Sequence, residues 1–529
     1  MWTQNYTPVG GSLLWSSVVA ALPVAALLYA IGIRRVTAWK SSLIGLLAAV
    51  VVAVAAYRMP PLLAIDSALY GAAFGTFPIF WVIYWAILLY RLTVDTGKFE
   101  VLKQSISRLT PERHLQAILI AFAFGAFLEG AAGFGTPVAV AAAILGGLGF
   151  EPFYAAGICL LANTAPVAFG SIGIPLVTLA TTTGLPLEEL SKHVGRLCAP
   201  VSLIIPCYLV LVMGGRRAAR QIWPAIVVCG VGFAGTQFLI SNFVGPYLTD
   251  ILSSLVSMIA IVVLLRMWKP AGTPPARVES RMRVSEILSA WSPYLLLVAL
   301  ILTWSLNPVK VLLNSVNIVF PWPGLHNAVQ QTVPAVIKPG PYAAIFRFRF
   351  LTEAGTACAL ATILSALFLR VNPKRFLRLA RESADQLKYS YISVVAVLAL
   401  AFVMNYSGAT ATLGLAFAAT GRAFPFFSAM LGWLGVFLTG SDTSSNALFG
   451  SLQQVTANRL GLSPTLMASA NSAGGVMGKM ISLQSISVAA AAAGLKAEDE
   501  PALFRFTLKH SIFLASVIGL LAMLYAYVR

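Results

Sequence analysis

Two acidic residues lie in surroundings that penalise a charge. Glu129 occurs within GAFLEGAAGFGTP, and Asp442 occurs within GVFLTGSDTSSNA. Because an ionised carboxylate is costly to bury, a buried carboxyl group tends to take up a proton. An acidic residue inside a membrane is therefore a natural proton carrier, and both residues are candidates for proton coupling. For Asp442 the alternative is a local cap, in which the carboxylate accepts hydrogen bonds from nearby backbone N–H groups.

Neutral hydrogen-bond donors and one lysine accompany these carboxylates. Asparagine and hydroxyl side chains can bind a small anion, and Lys479 could pair with the carboxylate of such an anion. The alternatives for Lys479 are an ion pair with Asp442 or a side chain that extends to the membrane surface. The candidate substrate-binding residues are Asn163, Thr164, Ser171, Ser441, Thr443, Asn471, Ser472 and Lys479.

The segments around these residues are poor continuous helices. GAAGFGTP and NSAGG contain glycine, which loosens the backbone, and GAAGFGTP and ANTAP contain proline, which removes a donor. Such backbone is tolerated at membrane depth only where it is buried in protein or lines a watered cavity. We predict that these segments are tips of re-entrant hairpins or discontinuous helices. A helix that starts at such a tip directs free N–H groups towards a bound anion.

The composition is that of a membrane protein. Of the 529 residues, 58% are hydrophobic and only 10% are charged, and the mean hydropathy is +0.84. Soluble domains have about a quarter charged residues, so this chain lacks the polar residues needed to cover a soluble surface. We predict an all-α polytopic fold with about 12 to 14 membrane segments.

The net charge of +18 comes from basic residues in short loops between apolar runs. The positive-inside rule places these loops in the cytoplasm and the N-terminus outside. The charge therefore does not indicate a nucleic-acid partner. Five scattered cysteines and four histidines form no metal-binding pattern, and HExxH and GxSxG are absent. We expect no metal, no cofactor and no enzymatic activity.

Two copies of one order of motifs occur in the chain. GAFLEGAAGFGTP is followed by GFEP and ANTAPVAFGS, and GVFLTGSDTSSNA is followed by GLSP and ANSAGGVMGK. In this alignment Glu129 matches Thr439, not Asp442. A basic arm precedes the first copy and a nearly uncharged arm precedes the second, which predicts inverted topology. Inverted repeats are typical of alternating-access transporters, with the substrate site between the copies. The alternative is a chance similarity of two helices that pack through small residues.

This pattern divides the chain into five parts. We predict N-terminal spans in residues 1–68, the first repeat in 69–215, central spans in 216–388, the second repeat in 389–496 and a C-terminal span in 497–529. The central part is expected to contain a cytoplasmic linker near residues 266–286 and a long, proline-rich outer loop near residues 307–345.

Five long motifs resemble the lactate permease family over essentially the whole chain. They are FGAFLEGAAGFGTPVAV, LLANTAPVAFGSIGIP, KPGPYAAIFRFRF, LTGSDTSSNALFG and ANSAGGVMGKMISLQSI. The resemblance implies a proton symporter of L-lactate, which would also accept D-lactate and glycolate. The partners would then be a small monocarboxylate, H⁺ and membrane lipid.

Combining these observations, we expect the hairpin tips to bind the substrate carboxylate while Glu129 or Asp442 carries the proton. Two alternatives stay open at this point. A sodium-coupled carboxylate carrier would differ only in the ion, because unwound backbone carbonyls also bind Na⁺. A facilitative channel for small organic acids would need no carboxylate that carries a proton.

Overall fold

Long apolar runs form helices here because a chain in lipid must satisfy its own backbone hydrogen bonds. The computed structural model describes residues 1–133, 136–268, 270, 283–336 and 338–528. Within these residues, twelve helical segments are long and apolar enough to cross a membrane, and one bent helix pair brings the number to thirteen. The predicted all-α multi-pass fold and its span count are confirmed.

The first part of the chain extends to residue 221. A π-helical turn, Gly75–Phe80, joins α3 to α4, and another, Ile118–Phe124, joins α6 to α7. The elements are β1 Trp2–Thr3, α1 Leu13–Gly32, α2 Ala38–Ala55, α3 Pro61–Phe74, α4 Trp81–Asp95, α5 Lys98–Ser107, α6 Arg113–Ala117, α7 Gly125–Ala131, α8 Thr136–Gly147, α9 Pro152–Ala162, α10 Gly170–Thr183 and α11 Leu187–Gln221.

The central part contains helices and two small sheets. Its elements are α12 Trp223–Phe243, α13 Thr249–Met267, α14 Val284–Ser305, α15 Asn307–Asn314, β2 Ile318–Pro321, β3 Val329–Gln331, β4 Gly340–Pro341, β5 Ile345–Phe348 and α16 Ala354–Phe368. Strands β2 and β5 pair antiparallel, and the other sheet has the order β1-β3-β4. The segment predicted as a long outer loop is therefore a short helix followed by these sheets. The predicted linker lies mostly outside the described residues.

The last part is again helical. Its elements are α17 Pro373–Ser407, α18 Ala409–Phe417, α19 Phe424–Thr439, α20 Asp442–Leu460, α21 Pro464–Lys479, α22 Leu483–Ala493 and α23 Glu500–Tyr527, with 3₁₀ turns at Ala418–Ala423 and Ala497–Asp499. The boundaries predicted at residues 69 and 389 fall inside α3 and α17. The five-part division and the repeat stay predictions; we call α3 to α11 the first unit and α17 to α23 the second unit.

The two ends of the helix bundle differ in the residues and strands that they carry. Helix α1 has 20 residues, so its ends lie about 30 Å apart. We call the end next to Arg34, Arg35 and Lys40 the basic end. The opposite end carries strands β1 to β5, and we call it the sheet end.

The two repeated units have the same order of elements. Each has a long helix, a short arm, a helical hairpin, a broken helix and a further long helix, running through α3 to α11 in the first unit and α17 to α23 in the second. Glycines with positive φ stand at matching junctions: Gly97 and Gly408, Gly149 and Gly461, Gly184 and Gly494. The broken helix of each unit also packs against the hairpin of the other unit, since α10 contacts α20 and α22 contacts α8.

Each unit contains one hairpin that turns back on itself. The first runs from α6 through α8, and its two ends meet where Arg113 lies 5.8 Å from the ring centre of Phe150. The second is formed by α19 and α20, which run antiparallel and are joined by a tip at Gly440. At the opposite, open end of this hairpin, Gln453 Nε2 donates to Ser428 O over 3.3 Å. These are re-entrant hairpins of the kind predicted.

The hairpins open towards different ends of the bundle. A side chain on Gly214, next to the arginines that follow it in α11, would meet His114 in the first hairpin. The second hairpin ends near α18, where Thr412 Oγ1 donates to Tyr6 O beside the small sheets over 2.9 Å. Inverted repeats require such an arrangement, and the inversion itself stays a prediction.

Candidate functional site

A polar cavity of about 220 Å³ lies between the two units. The rings of Trp39 and Tyr389 stack with their centres 5.3 Å apart and form its rim towards the basic end. Pockets for drug-sized ligands have about 300–1,000 Å³, so this cavity suits a smaller molecule. Six of the predicted residues line it: Glu129, Ser171, Ser441, Asp442, Thr443 and Lys479.

Glu129 reaches the cavity from α7 in the first hairpin. Its side chain is only 4% exposed. The broken helix α9–α10 leaves space for it, because a Cβ atom on Gly170 would lie 2.8 Å from Glu129 Oε1. Within the described ranges, Glu129 Oε2 has no hydrogen-bond partner. The carboxyl group therefore keeps one oxygen free to hold a proton or accept a hydrogen bond.

Asp442 enters the cavity from the first turn of α20, and donors hold one of its oxygens. Asp442 Oδ2 accepts from Ser472 Oγ at 2.6 Å and from Asn446 Nδ2 at 3.2 Å. The other oxygen, Oδ1, has no partner in the described part of the chain. A side chain on Gly475 would come within 2.4 Å of Oδ1, so this glycine is needed for the carboxylate to fit.

A chain of amides supports Asp442 from behind. Asn471 Nδ2 donates to Asn446 Oδ1 at 3.0 Å, and Gln453 Nε2 donates to Asn471 Oδ1 at 3.1 Å. Asn446 Nδ2 also lies 3.1 Å from Pro175 O in the broken helix of the other unit. Networks of satisfied polar groups fix side-chain positions in a low-dielectric interior. Asn471 and Ser472 thus contact the network and Asp442 and do not line the cavity.

Lys479 supplies the positive charge of the cavity. It occupies the last turn of α21, and its Nζ donates to Gly440 O at the second hairpin tip over 2.7 Å. Its charge interacts with both Glu129 and Asp442. The predicted alternative of an ion pair with Asp442 is therefore replaced by a hydrogen bond to the backbone.

The N-terminus of α20 also faces the cavity. Gly440 adopts φ +72°, which allows the chain to turn sharply at the tip, and Ser441 caps the helix by accepting from Ser444 N at 3.2 Å. Thr443 and Ser444 line the cavity beside it. Helix N-termini carry unpaired N–H groups and partial positive charge, and this combination binds anions.

The remaining predicted residues belong to the broken helix of the first unit. Ser171 and the two residues after it have positive φ, and Ser171 Oγ donates to Ala132 O at 3.2 Å. Asn163 is 3% exposed and interacts with the Glu129 carboxyl without meeting hydrogen-bond geometry. Thr164 Oγ1 donates to Leu161 O at 2.7 Å, within its own helix. Asn163 and Thr164 do not line the cavity.

The charges around the cavity favour one type of ligand. With Glu129 and Asp442 ionised and Lys479 protonated, the three side chains sum to a formal charge of −1, which repels an anion. If one carboxyl group takes up a proton, the sum is zero and an anion can pair with Lys479. Binding of an anion and of a proton are therefore expected to favour each other.

Several lining residues were not singled out from the sequence. Trp39, Tyr389, Ser390 and Ser393 come from helices α2 and α17, and Gln484 comes from α22. Their segments look like ordinary apolar or amphipathic helices. A buried acid, Asp250, was also missed, although it is the only acidic residue between Glu189 and Glu279. Its place at a helix start is typical of an N-terminal cap.

A multi-pass membrane protein with a small polar cavity enclosed by two hairpins belongs, by fold and site, to the class of transporters. The model of the L-lactate permease family matches residues 16–529, so the chain belongs to this family.

Two relatives and one solved structure are similar to this chain to different degrees. The L-lactate permease of Bacillus subtilis is 46% identical over 100% of this chain and 99% of its own length. The glycolate permease GlcA of Escherichia coli is 44% identical over 100% and 98%. The match to the structure of Neisseria gonorrhoeae MtrF covers 88% of this chain and 84% of the MtrF chain, with 13% sequence identity and a TM-score of 0.46. That last similarity is too low to support an argument.

Proposed function

We propose that the protein carries L-lactate, and also D-lactate and glycolate, together with a proton across the bacterial cytoplasmic membrane. Two relatives, a lactate permease and a glycolate permease, support this substrate class. The observation that carries the proposal is the cavity, which is lined by one lysine and two buried carboxyl groups whose charges interact with it. Its small volume fits a short hydroxy acid.

In this proposal the substrate carboxylate binds Lys479 and the N-terminus of α20. Ser441 and Thr443 are close enough in the same wall to bind the carboxylate or the 2-hydroxyl group. Asn471 and Ser472 act on the substrate through Asp442, whose position they hold. Ser171 lies on the opposite wall, where it can bond the hydroxyl group, and Asn163 and Thr164 support the broken helix behind Glu129.

Proton coupling follows from the charges of the cavity. The anion enters only when one carboxyl group is neutral, so it is carried with one proton, on Glu129 or Asp442. The cargo then has no net charge, and the membrane potential does no direct work on it. A difference in pH across the membrane would drive accumulation.

In this proposal the basic loops set the orientation of the protein in the membrane. If the basic end is cytoplasmic and the N-terminus outside, the cavity opens inwards. The sheet end is closed in this structure by hydrogen bonds between the units: Asn405 Nδ2 donates to Thr182 O at 3.3 Å, and Ser451 Oγ donates to Thr182 O at 2.7 Å. Alternating access would open these contacts and close the rim at Trp39 and Tyr389.

The test is uptake of labelled L-lactate into proteoliposomes that have an inward H⁺ gradient and contain no Na⁺. We expect the wild-type protein to accumulate lactate and Glu129→Gln only to exchange it. Glu498→Gln is a matched control, because Glu498 is exposed and distant from the cavity lining. The control should accumulate lactate like the wild type.

Other outcomes separate the alternatives. Accumulation by Glu129→Gln would leave Asp442 as the proton carrier, to be tested as Asp442→Asn. Accumulation by the wild type only when Na⁺ is added would favour the sodium-coupled carrier. Equilibration without accumulation under either gradient would favour the channel.

A further inference from the structure

A third buried carboxyl group lies behind Glu129, on the side away from the cavity. Asp250 is in the first turn of α13 and is 1% exposed. Both of its carboxylate oxygens lack a hydrogen-bond partner in the residues that the structure describes. An ionised carboxylate without donors is strongly disfavoured in such a place, so the neutral form, which carries a proton, fits the site.

Asp250 adjoins Glu129 through a close contact between helices. Helix α13 packs against α7, and a Cβ atom on Gly130, the residue after Glu129, would lie 2.8 Å from Asp250 Cβ. The two carboxyl groups are near enough for their charges to interact. Two carboxyl groups held close together in a buried site do not both ionise readily, and they tend to share a proton.

Asp250 lies on the side of Glu129 towards the sheet end. Glu129 lines the cavity, and Asp250 does not. Three residues before Asp250, Tyr247 is close to the charges of Glu188, Arg349 and Glu353; Arg349 directly follows strand β5, and Glu353 directly precedes α16. Asp250 therefore lies between Glu129 and the sheet end.

The other titratable groups near Asp250 are few. Cys198 of α11 is close enough to interact with both Asp250 and Asp442. Lys479 and Asp442 line the cavity together with Glu129, whereas Asp250 does not. Asp442 differs from Asp250 in that Ser472 and Asn446 donate to it, and such donors stabilise an ionised carboxylate. Within the described residues, both oxygens of Asp250 and Oε2 of Glu129 lack a hydrogen-bond partner, so these two carboxyl groups are better suited to hold the transported proton.

We propose that Asp250 and Glu129 share the transported proton, with Asp250 as its station towards the sheet end and Glu129 as its station in the cavity. In the transfer, the O–H bond of the Asp250 carboxyl breaks and an O–H bond forms on the Glu129 carboxylate. Protons would then reach the cavity by a route separate from that of the substrate. This inference rests on the proposed proton coupling.

The experiment compares Asp250→Asn with Glu129→Gln and wild type in proteoliposomes. Three quantities are measured: exchange of internal for external lactate, accumulation driven by a H⁺ gradient, and lactate-induced proton entry detected with a pH-sensitive dye. For Asp250→Asn we expect exchange within about threefold of wild type and a loss of at least about tenfold in accumulation and proton entry. Asp385→Asn, which changes an exposed aspartate on α17, is the matched control.

Asp250→Glu provides a second readout, and it decides the matter if Asp250→Asn does not fold. It keeps a titratable group and moves it by one methylene group. The pH midpoint of lactate uptake should therefore shift while the maximal exchange rate is retained. A merely structural role would leave this midpoint unchanged.

The outcomes separate this inference from the proposed function. If wild type and Glu129→Gln behave as proposed while Asp250→Asn accumulates lactate like wild type, the shared proton is refuted and the coupling stands. An unchanged pH midpoint in Asp250→Glu refutes it as well. If wild type shows no proton entry with lactate, both proposals fail together.

Discussion

Replacement of Lys479 by methionine tests the binding half of the proposal. Methionine has a similar length and no charge, so the change removes the only positive side chain among the cavity-lining residues. Hydrogen bonds to charged groups contribute about 1.5–3 kcal/mol. Since about 1.4 kcal/mol corresponds to a factor of ten, the Kd of lactate should rise roughly 10- to 100-fold.

The same change also has a structural cost. Lys479 Nζ donates to Gly440 O at 2.7 Å, and a hydrogen bond from a charged donor contributes about 1.5–3 kcal/mol. The charge also lies in the last turn of α21, where a cation stabilises a helix by about 0.3–1 kcal/mol. The folded protein should therefore have a lower Tm in detergent.

The assay is the Kd of L-lactate measured by calorimetry on purified protein, together with the KM of exchange in proteoliposomes. Lys479→Arg keeps the charge and should retain more affinity than Lys479→Met. Lys509→Met is the matched control, because Lys509 is exposed on α23 and lies over the ring of Phe506. If Lys479→Met binds lactate as wild type does, the lysine only holds the hairpin tip, and the proposed role of Lys479 in substrate binding is refuted.

Three further predictions concern packing, access and pH. A Cβ atom on Gly432 would lie 1.7 Å from Asn471 O, so Gly432→Ala should force α19 and α21 apart and lower the stability of the folded protein by about 1–3 kcal/mol or more. Thermal unfolding in detergent measures this loss, and an unchanged Tm would contradict the close packing. Ser390→Cys, in the cavity lining, should react with a membrane-impermeant maleimide applied from the cytoplasmic side, and lactate should slow the reaction; labelling from outside instead would reverse the proposed orientation. Burial raises the pKa of Glu353 from its ordinary value of 4.5 to about 7, against the opposing charge of Arg349. The neutral form is therefore favoured by folding, and stability should fall as the pH rises through about 7 in wild type and not in Glu353→Gln; equal pH profiles of Tm would refute this.

The class of protein could be predicted from the sequence because it depends on local properties. Whether a segment can leave water is decided by its own apolar length, and the span count followed from that. The runs GAAGFGTP and ANTAP correctly marked where α7 and α9 end. The run NSAGG was predicted wrongly, because it lies inside the continuous helix α21, and the break follows it at residues 480–482. A helix breaks where its own residues cannot continue it.

The composition of the cavity depended on contacts between distant residues. Asn446 donates to Pro175 O, 271 residues away, and this contact brings the two units together around Asp442. The order of motifs predicted that Asn471 and Ser472 lie near the substrate, but helix packing turned them towards Asp442. The rim at Trp39 and Tyr389 comes from helices without any unusual motif.

Asp250 shows most clearly the difference between what the sequence and what the tertiary structure determine. By sequence it is an acid at the start of an apolar helix, and such residues usually cap the helix. Only the tertiary structure places it against Gly130, without donors and beside Glu129. The sequence by itself determined that this chain enters a membrane and where its helices break, because backbone hydrogen bonding and hydrophobicity act within a segment. The packing of helices decided which carboxyl groups meet, because burial and charge interaction depend on neighbours far away in the chain.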